Sequence, residues 1–216
     1  MKAIISILAL ILSMALCLTS CGLFGGGSND AEQVAAISDI VNNAKPTRII
    51  THVNYTVNGE TLKGRYTTQY DREDNLGQFD FSYQRIAIPG ESASSESIET
   101  IVGTVYSKDG TSFSYDECAT WQGGGLGYLE YSLDLSASKL ASYEVSKDGK
   151  SITAVVARDN AKRVFGTDIS ASSDISLSVV TSGSDLYSVS ISYTSVSGAN
   201  VSIETSYESL IIDLDF

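Results

Sequence analysis

The segment IITHVNYTVNGETLKGRYTTQY, residues 49–70, decides what kind of fold this chain can adopt. Its apolar residues recur at every second position, with Val53, Tyr55 and Val57 alternating with His52, Asn54 and Thr56. Successive side chains of a strand point to opposite faces, so a period of two marks a strand that is apolar on one side. Asn58-Gly59 interrupts the alternation with the pair best suited to the left-handed backbone of a two-residue hairpin turn. Leu62, Tyr66 and Tyr70 then resume the apolar face, and Lys63, Arg65, Thr67 and Gln69 resume the polar one. The segment predicts an antiparallel hairpin, greasy on one side and wet on the other.

Downstream, residues 71–77 read as a turn, and Phe79, Phe81 and Tyr83 continue the alternation. Residues 92–97 are a polar loop, and a strand over 98–106 turns at Lys108-Asp109-Gly110 into another over 111–115. The same Ser-Lys-Asp-Gly word recurs at 146–149, between strands at 143–145 and 152–156. Its flanks match only in strand composition, so it marks a turn chemistry used twice rather than a duplicated domain. Between these hairpins, residues 136–142 predict a short helix with Ser136 as cap and Leu140 inward. Residues 159–165, DNAKRVF, predict another, opened by Asp159 and closed by Gly166. Alternating runs at 175–180, 186–193 and 201–207 follow. About ten strands, most joined by short turns, predict an antiparallel meander.

Upstream, residues 29–43 predict a helix. Val34, Ile37, Val41 and Ala44 keep helical spacing, Asn29 or Asp30 can cap, and Pro46 ends it. Its apolar stripe is narrow, so it must lie against the sheet. Before it, residues 22–28 are rich in glycine and carry no packing signal, which suits a flexible tether. Before that, residues 3–18 are almost wholly apolar, the length of a signal-peptide core and short of the roughly 20 residues a spanning helix needs.

The junction Leu18-Thr19-Ser20-Cys21 resembles the lipobox of bacterial lipoproteins. The resemblance implies cleavage between Ser20 and Cys21, a diacylglycerol on the Cys21 thiol and often an acyl chain on the new amino group. It implies a bacterial protein held by its lipid at the extracytoplasmic face of a membrane. Small residues suit the cleavage site, a thiolate suits alkylation, and two or three acyl chains anchor where one binds marginally. The layout expected is a signal peptide at 1–20, a lipidated cysteine and tether at 21–28, and a single β domain over 29–216.

The chain carries 26 acidic against 14 basic residues, a net charge of −12. Lys2 is the only charged side chain in the first twenty residues, so cleavage makes the remainder one unit more acidic. Such a surface disfavours nucleic acid and anionic headgroups, leaving the lipid as the membrane attachment. Loss of Cys17 and lipidation of Cys21 would leave Cys118 by itself, with no intrachain disulfide and the usual role of a small buried apolar residue.

A leading amphipathic helix, a long one-sided meander, a short internal helix and three closing strands together resemble the LolA/LppX-like lipoprotein carriers. The resemblance covers most of residues 29–207 and is one of pattern. It implies a mainly β (α+β) fold, a curved, unclosed half-barrel of antiparallel strands wrapped on helices, with an apolar cavity for acyl chains. The shuttle's arginine-proline element is absent from LKGRYTTQYD, residues 62–71, so the resemblance gives Arg65 no part in cargo release. On this reading Val53, Tyr55, Val57, Leu62, Tyr66, Phe79, Phe81 and Tyr83 form the candidate apolar ligand face. For these residues taken alone, packing beneath the helices as ordinary core is the favoured reading over a cavity.

No catalytic, metal or cofactor site is expected. His52 is the only histidine, falls on the polar face of its strand and lacks a nucleophile elbow. One histidine and Cys118 do not make a zinc site. DREDNLG, residues 71–77, gathers carboxylates, but Leu76 stands where a calcium loop turns on glycine and no glutamate closes it. GGGLG, residues 123–127, lacks the Lys-Ser/Thr of a phosphate loop. Trp121 beside it suits either a rim or a core. The function expected is non-catalytic binding of a hydrophobic or lipid ligand. The alternative is a displayed structural or protein-interaction module with a fully packed core and an envelope protein as partner.

Overall fold

The computed structural model describes residues 28–86, 98–107 and 133–215. Helix α1, Ser28–Asn43, buries Val34, Ile37 and Val41 on one side and ends before Pro46. Four long strands follow: β1, Arg48–Val57; β2, Glu60–Asp71; β3, Leu76–Ile86; and β4, Ile98–Ser107. The β1–β2 turn is the one the sequence asks for. Asn58 at φ 52° and Gly59 at φ 84° both take the left-handed backbone that matches a hairpin's twist.

After a short 3-10 turn at Ala137–Lys139 come β5, Ser142–Val145, and β6, Ser151–Val156. A second 3-10 turn, Arg158–Asn160, leads into helix α2, Ala161–Phe165, which Gly166 closes at φ 70°. The chain ends on β7, Ile175–Ser182; β8, Asp185–Thr194; and β9, Asn200–Glu208.

The nine described strands form one antiparallel, unclosed sheet in the order β4-β3-β2-β1-β9-β8-β7-β6-β5. Its architecture is mainly β, with two helices, and its curvature gives a half-barrel. An irregular register between Val180 and Thr181 on β7 contributes a local bend, as an extra residue in one strand does.

The strand order differs from one continuous meander. Two meanders, β1–β4 and β5–β9, join where the first strand meets the last. That seam sets Val53 opposite Ile203 and Tyr55 opposite Val201 on the buried face, with a Thr51–Thr205 hydroxyl contact of 3.2 Å beside them. An Arg48–Glu208 ion pair of 2.8 Å closes one end. Thr47 ties the same end together. Its N–H donates to the Glu208 carbonyl, its carbonyl accepts from Tyr70, and its hydroxyl donates to the carbonyl of Leu210 and accepts from the N–H of that residue.

The helix predicted over 136–142 is a single 3-10 turn. The Asp134 carboxylate accepts from both the N–H and hydroxyl of Ser136, and Ala141 already donates to Val155 of the sheet. These bonds compete with helix continuation. Leu140 is buried, as its spacing predicted.

Candidate binding surfaces

The eight residues of the predicted apolar face do come together, all on one side of β1–β3. Val53, Tyr55, Leu62, Tyr66, Phe79, Phe81 and Tyr83 are each 7 % exposed or less, and Val57 packs against them. They belong to the same hydrophobic cluster as α1, α2 and the inner residues of β6–β9.

The aromatic members form a ladder. Tyr66–Phe79, Phe79–Phe81 and Phe81–Tyr83 ring centroids are each 6.1 Å apart, with the first pair stacked at 14°. Two glycines make room for rings that fold along the sheet. A Cβ on Gly103, the cross-strand partner of Phe81, would sit 2.3 Å from that ring, and one on Gly64 would sit 2.9 Å from the Tyr66 ring. Tyr55 places its hydroxyl 2.8 Å from Ser197 Oγ, so its polar tip is satisfied at the edge of the core.

The opposite face is polar and holds an open groove of about 470 Å3. His52, Asn54, Lys63, Arg65, Ser82, Gln84, Thr100 and Glu204 contribute the polar walls, with Gly64 and Val53 in the floor. Strand pairing sets these groups in rows: Glu204 faces His52, His52 faces Arg65, and Arg65 faces Ser82. A local divergence opens the groove. The β2–β3 ladder stops at Gly64–Tyr83, although both strands continue, and the Gln84 side-chain carbonyl accepts the Lys63 N–H at 3.0 Å in place of a backbone partner. His52 is thus a solvated strand residue, as predicted, but beside two cations. The polar alternation of 52–69 places four of these groups, His52, Asn54, Lys63 and Arg65, on one face. Glu204 and Thr100 depend on long-range pairing that no local signal reveals.

The carboxylate-rich turn has a structural use. Asp71 accepts N–H bonds from Glu73, Asp74 and, from the C-terminal segment, Leu214. The Asp74 bond first, then Leu214, hold its carboxyl below the usual range. Asn75 at φ 58° completes the turn. On the outer face of β4, Ile98, Val102 and Tyr106 are exposed. Ser20, Cys21, Cys118, Trp121, the strand predicted over 111–115 and the glycines of 123–127 lie outside the described residues.

No protein-family model matches the chain, and no curated protein matches it. Among solved structures, a redesigned beta barrel is similar over 80 % of this chain and 96 % of its own, at 8 % identity and a TM-score of 0.21. A likeness of that size carries no argument about function.

Proposed function

We propose that this is a membrane-anchored extracytoplasmic bacterial lipoprotein, cleaved between Ser20 and Cys21 and lipidated on Cys21, whose β domain binds without catalysing. Within that frame the displayed module with a packed core is the stronger reading. The observation that carries it is the burial of the predicted ligand face in one continuous core with the helices. An acyl chain would have to displace side chains that already fill that space, losing the contacts they make. The module's recognition surface is then its exposed polar face or its strand edges.

The lipoprotein-carrier reading has one observation in its favour. Among the described residues, α1 packs mainly on β5, β6, β8 and the 3-10 turn at Ala137–Lys139, leaving the aromatic half without a helix across it. Carriage of a lipid on that side would work by reversible burial, about 0.8 kcal/mol per methylene.

Two measurements test the proposal. Cells expressing the full chain and fed an alkyne-bearing palmitate should label it and retain it in the membrane fraction. Cys21→Ala should abolish both, and a labelled, membrane-bound Cys21→Ala protein would refute the anchor. Organic extraction of the purified full chain, compared with the bulk membrane lipids, separates the two binding readings. No selectively enriched lipid supports the packed module; a stoichiometric, enriched lipid replaces it with the carrier.

A further inference from the structure

We infer that the groove at the β2–β3 divergence is a binding site for a small hydroxylated anion, a sugar carrying a phosphate or a carboxylate. The inference rests on the binding-module reading only in requiring a ligand, and is independent of the anchor.

Charge is the first argument. The chain is strongly acidic, yet Lys63 and Arg65 converge here beside His52, with Glu204 the one carboxylate among the groove's described lining residues. Elsewhere, Arg48, Arg85, Lys139, Arg158 and Lys162 have carboxylate partners, whereas Lys45, Arg72, Lys147, Lys150 and Arg163 have none among the described residues. What sets Lys63 and Arg65 apart is that they line one groove together. Among the described residues, no carboxylate pairs with Lys63 or Arg65. Neighbouring strands lie about 4.8 Å apart, so Glu204, two strands away from Arg65, starts about 10 Å off and faces His52 instead. The two cations are left to an outside anion. Arg65 offers a planar fork for a phosphate or carboxylate, and Lys63 a point charge two residues along the same strand.

Shape and lining give the chemical class. A groove of about 470 Å3 lies within the roughly 300–1,000 Å3 usual for small-molecule sites. Its remaining walls are the amides of Asn54 and Gln84 and the hydroxyls of Ser82 and Thr100, groups that both donate to and accept from sugar hydroxyls. Among its described lining residues there is no Phe, Tyr or Trp ring, and the His52 imidazole is the one flat surface it offers to a nucleobase. The site is also structurally supported. The Gly64 backbone forms part of the floor with the Tyr66 ring packed behind it, and the Gln84 side-chain carbonyl accepts from the Lys63 N–H.

Calorimetric titration of the full chain, purified in a non-ionic detergent, tests this with glucose 6-phosphate, glucuronate, glucose and inorganic phosphate. At least one sugar anion should bind tenfold or more tightly than glucose and than inorganic phosphate, and should weaken as salt is raised. Arg65→Gln and Lys63→Gln should each weaken it at least fivefold, while Lys150→Gln, on the β5–β6 turn, should leave it unchanged. Both substituted side chains are exposed, so each variant should keep the wild-type circular dichroism spectrum. Absence of binding by either sugar anion, equal binding of glucose, equal binding of inorganic phosphate, or indifference to both substitutions would overturn the assignment. Palmitate labelling reads the anchor separately, so failure here leaves that proposal standing.

Discussion

The two halves of the sheet bury the same kind of face by different means. In β5–β9 the inner residues are mostly aliphatic, with Ile152, Leu177, Val179, Val189 and Ile191 at 0–1 % exposure, and α1 packs on this side. In β1–β4 the inner residues are largely aromatic, with rings that fold along the strands over glycines. Both halves are buried to the same depth, so among the described residues they differ in side-chain type and in the glycines that make room for the rings.

The comparison breaks most visibly if the aromatic half is loose. Phe79, 0 % exposed at the middle of the ladder, should cost about 3–5 kcal/mol on replacement by alanine, the same as Phe165→Ala on α2. Urea unfolding of both variants measures it. A Phe79→Ala cost below about 1 kcal/mol would show that the ladder is not a load shared with the rest of the core, and would favour the carrier reading.

Much of this half was legible in the sequence because the information is local. The period of two over 49–70 and Asn58-Gly59 suffice for the β1–β2 hairpin, and Phe79, Phe81 and Tyr83 extend the same face without a change of phase. Gly166 and the apolar spacing of Val34, Ile37 and Val41 marked helix features equally well. What was not legible is the seam. Nothing near Val53 says that Ile203, 150 positions later, will lie beside it, so two joined meanders looked like one. The groove was hidden for the same reason. Its polar face was visible, but its opening depends on the β2–β3 ladder ending at Gly64 and on Glu204 arriving from β9. Apolar spacing makes a helix of residues 136–142 because it does not report the bonds through which Asp134 redirects the backbone into a 3-10 turn.

A sharper test lies in the glycines. Gly103→Ala places a methyl against the Phe81 ring and should destabilise by about 1–3 kcal/mol, the usual cost of overpacking. Gly64→Ala, meeting the Tyr66 ring less closely, should fall at the low end of that range. If either substitution were neutral, the rings would be free to stand off the sheet, and the contrast between the halves would reduce to composition. At the seam itself, Thr47→Ala removes hydroxyl bonds to both the carbonyl and the N–H of Leu210. It should cost about 1 kcal/mol and increase amide exchange at Leu210 before it affects either half.

The smallest effect is electrostatic and sets one carboxylate on each side of the seam against the other. Asp134, before β5, is held down to about 2 first by its Lys139 partner and then by the Ser136 hydroxyl. Asp71, at the end of β2, is held down by backbone N–H groups, that of Asp74 foremost. A carboxyl lowered in the folded state stabilises it fully above the unfolded value of about 3.9, and the contribution is lost as pH falls through the folded value. Both sites should therefore lose stability below about pH 4, with the Asp134 share vanishing as pH approaches 2. The Asp134 side chain is 43 % exposed, so solvent screening limits its pair to roughly a few tenths of a kcal/mol. Melting temperatures of wild type and Asp134→Asn should differ slightly at pH 7 and converge near pH 2. Added salt should narrow the gap for Asp134→Asn, whose partner is a charged side chain, more than for Asp71→Asn, whose partners are fixed backbone dipoles. Equal salt sensitivity would mean that the two turns are held by the same kind of force.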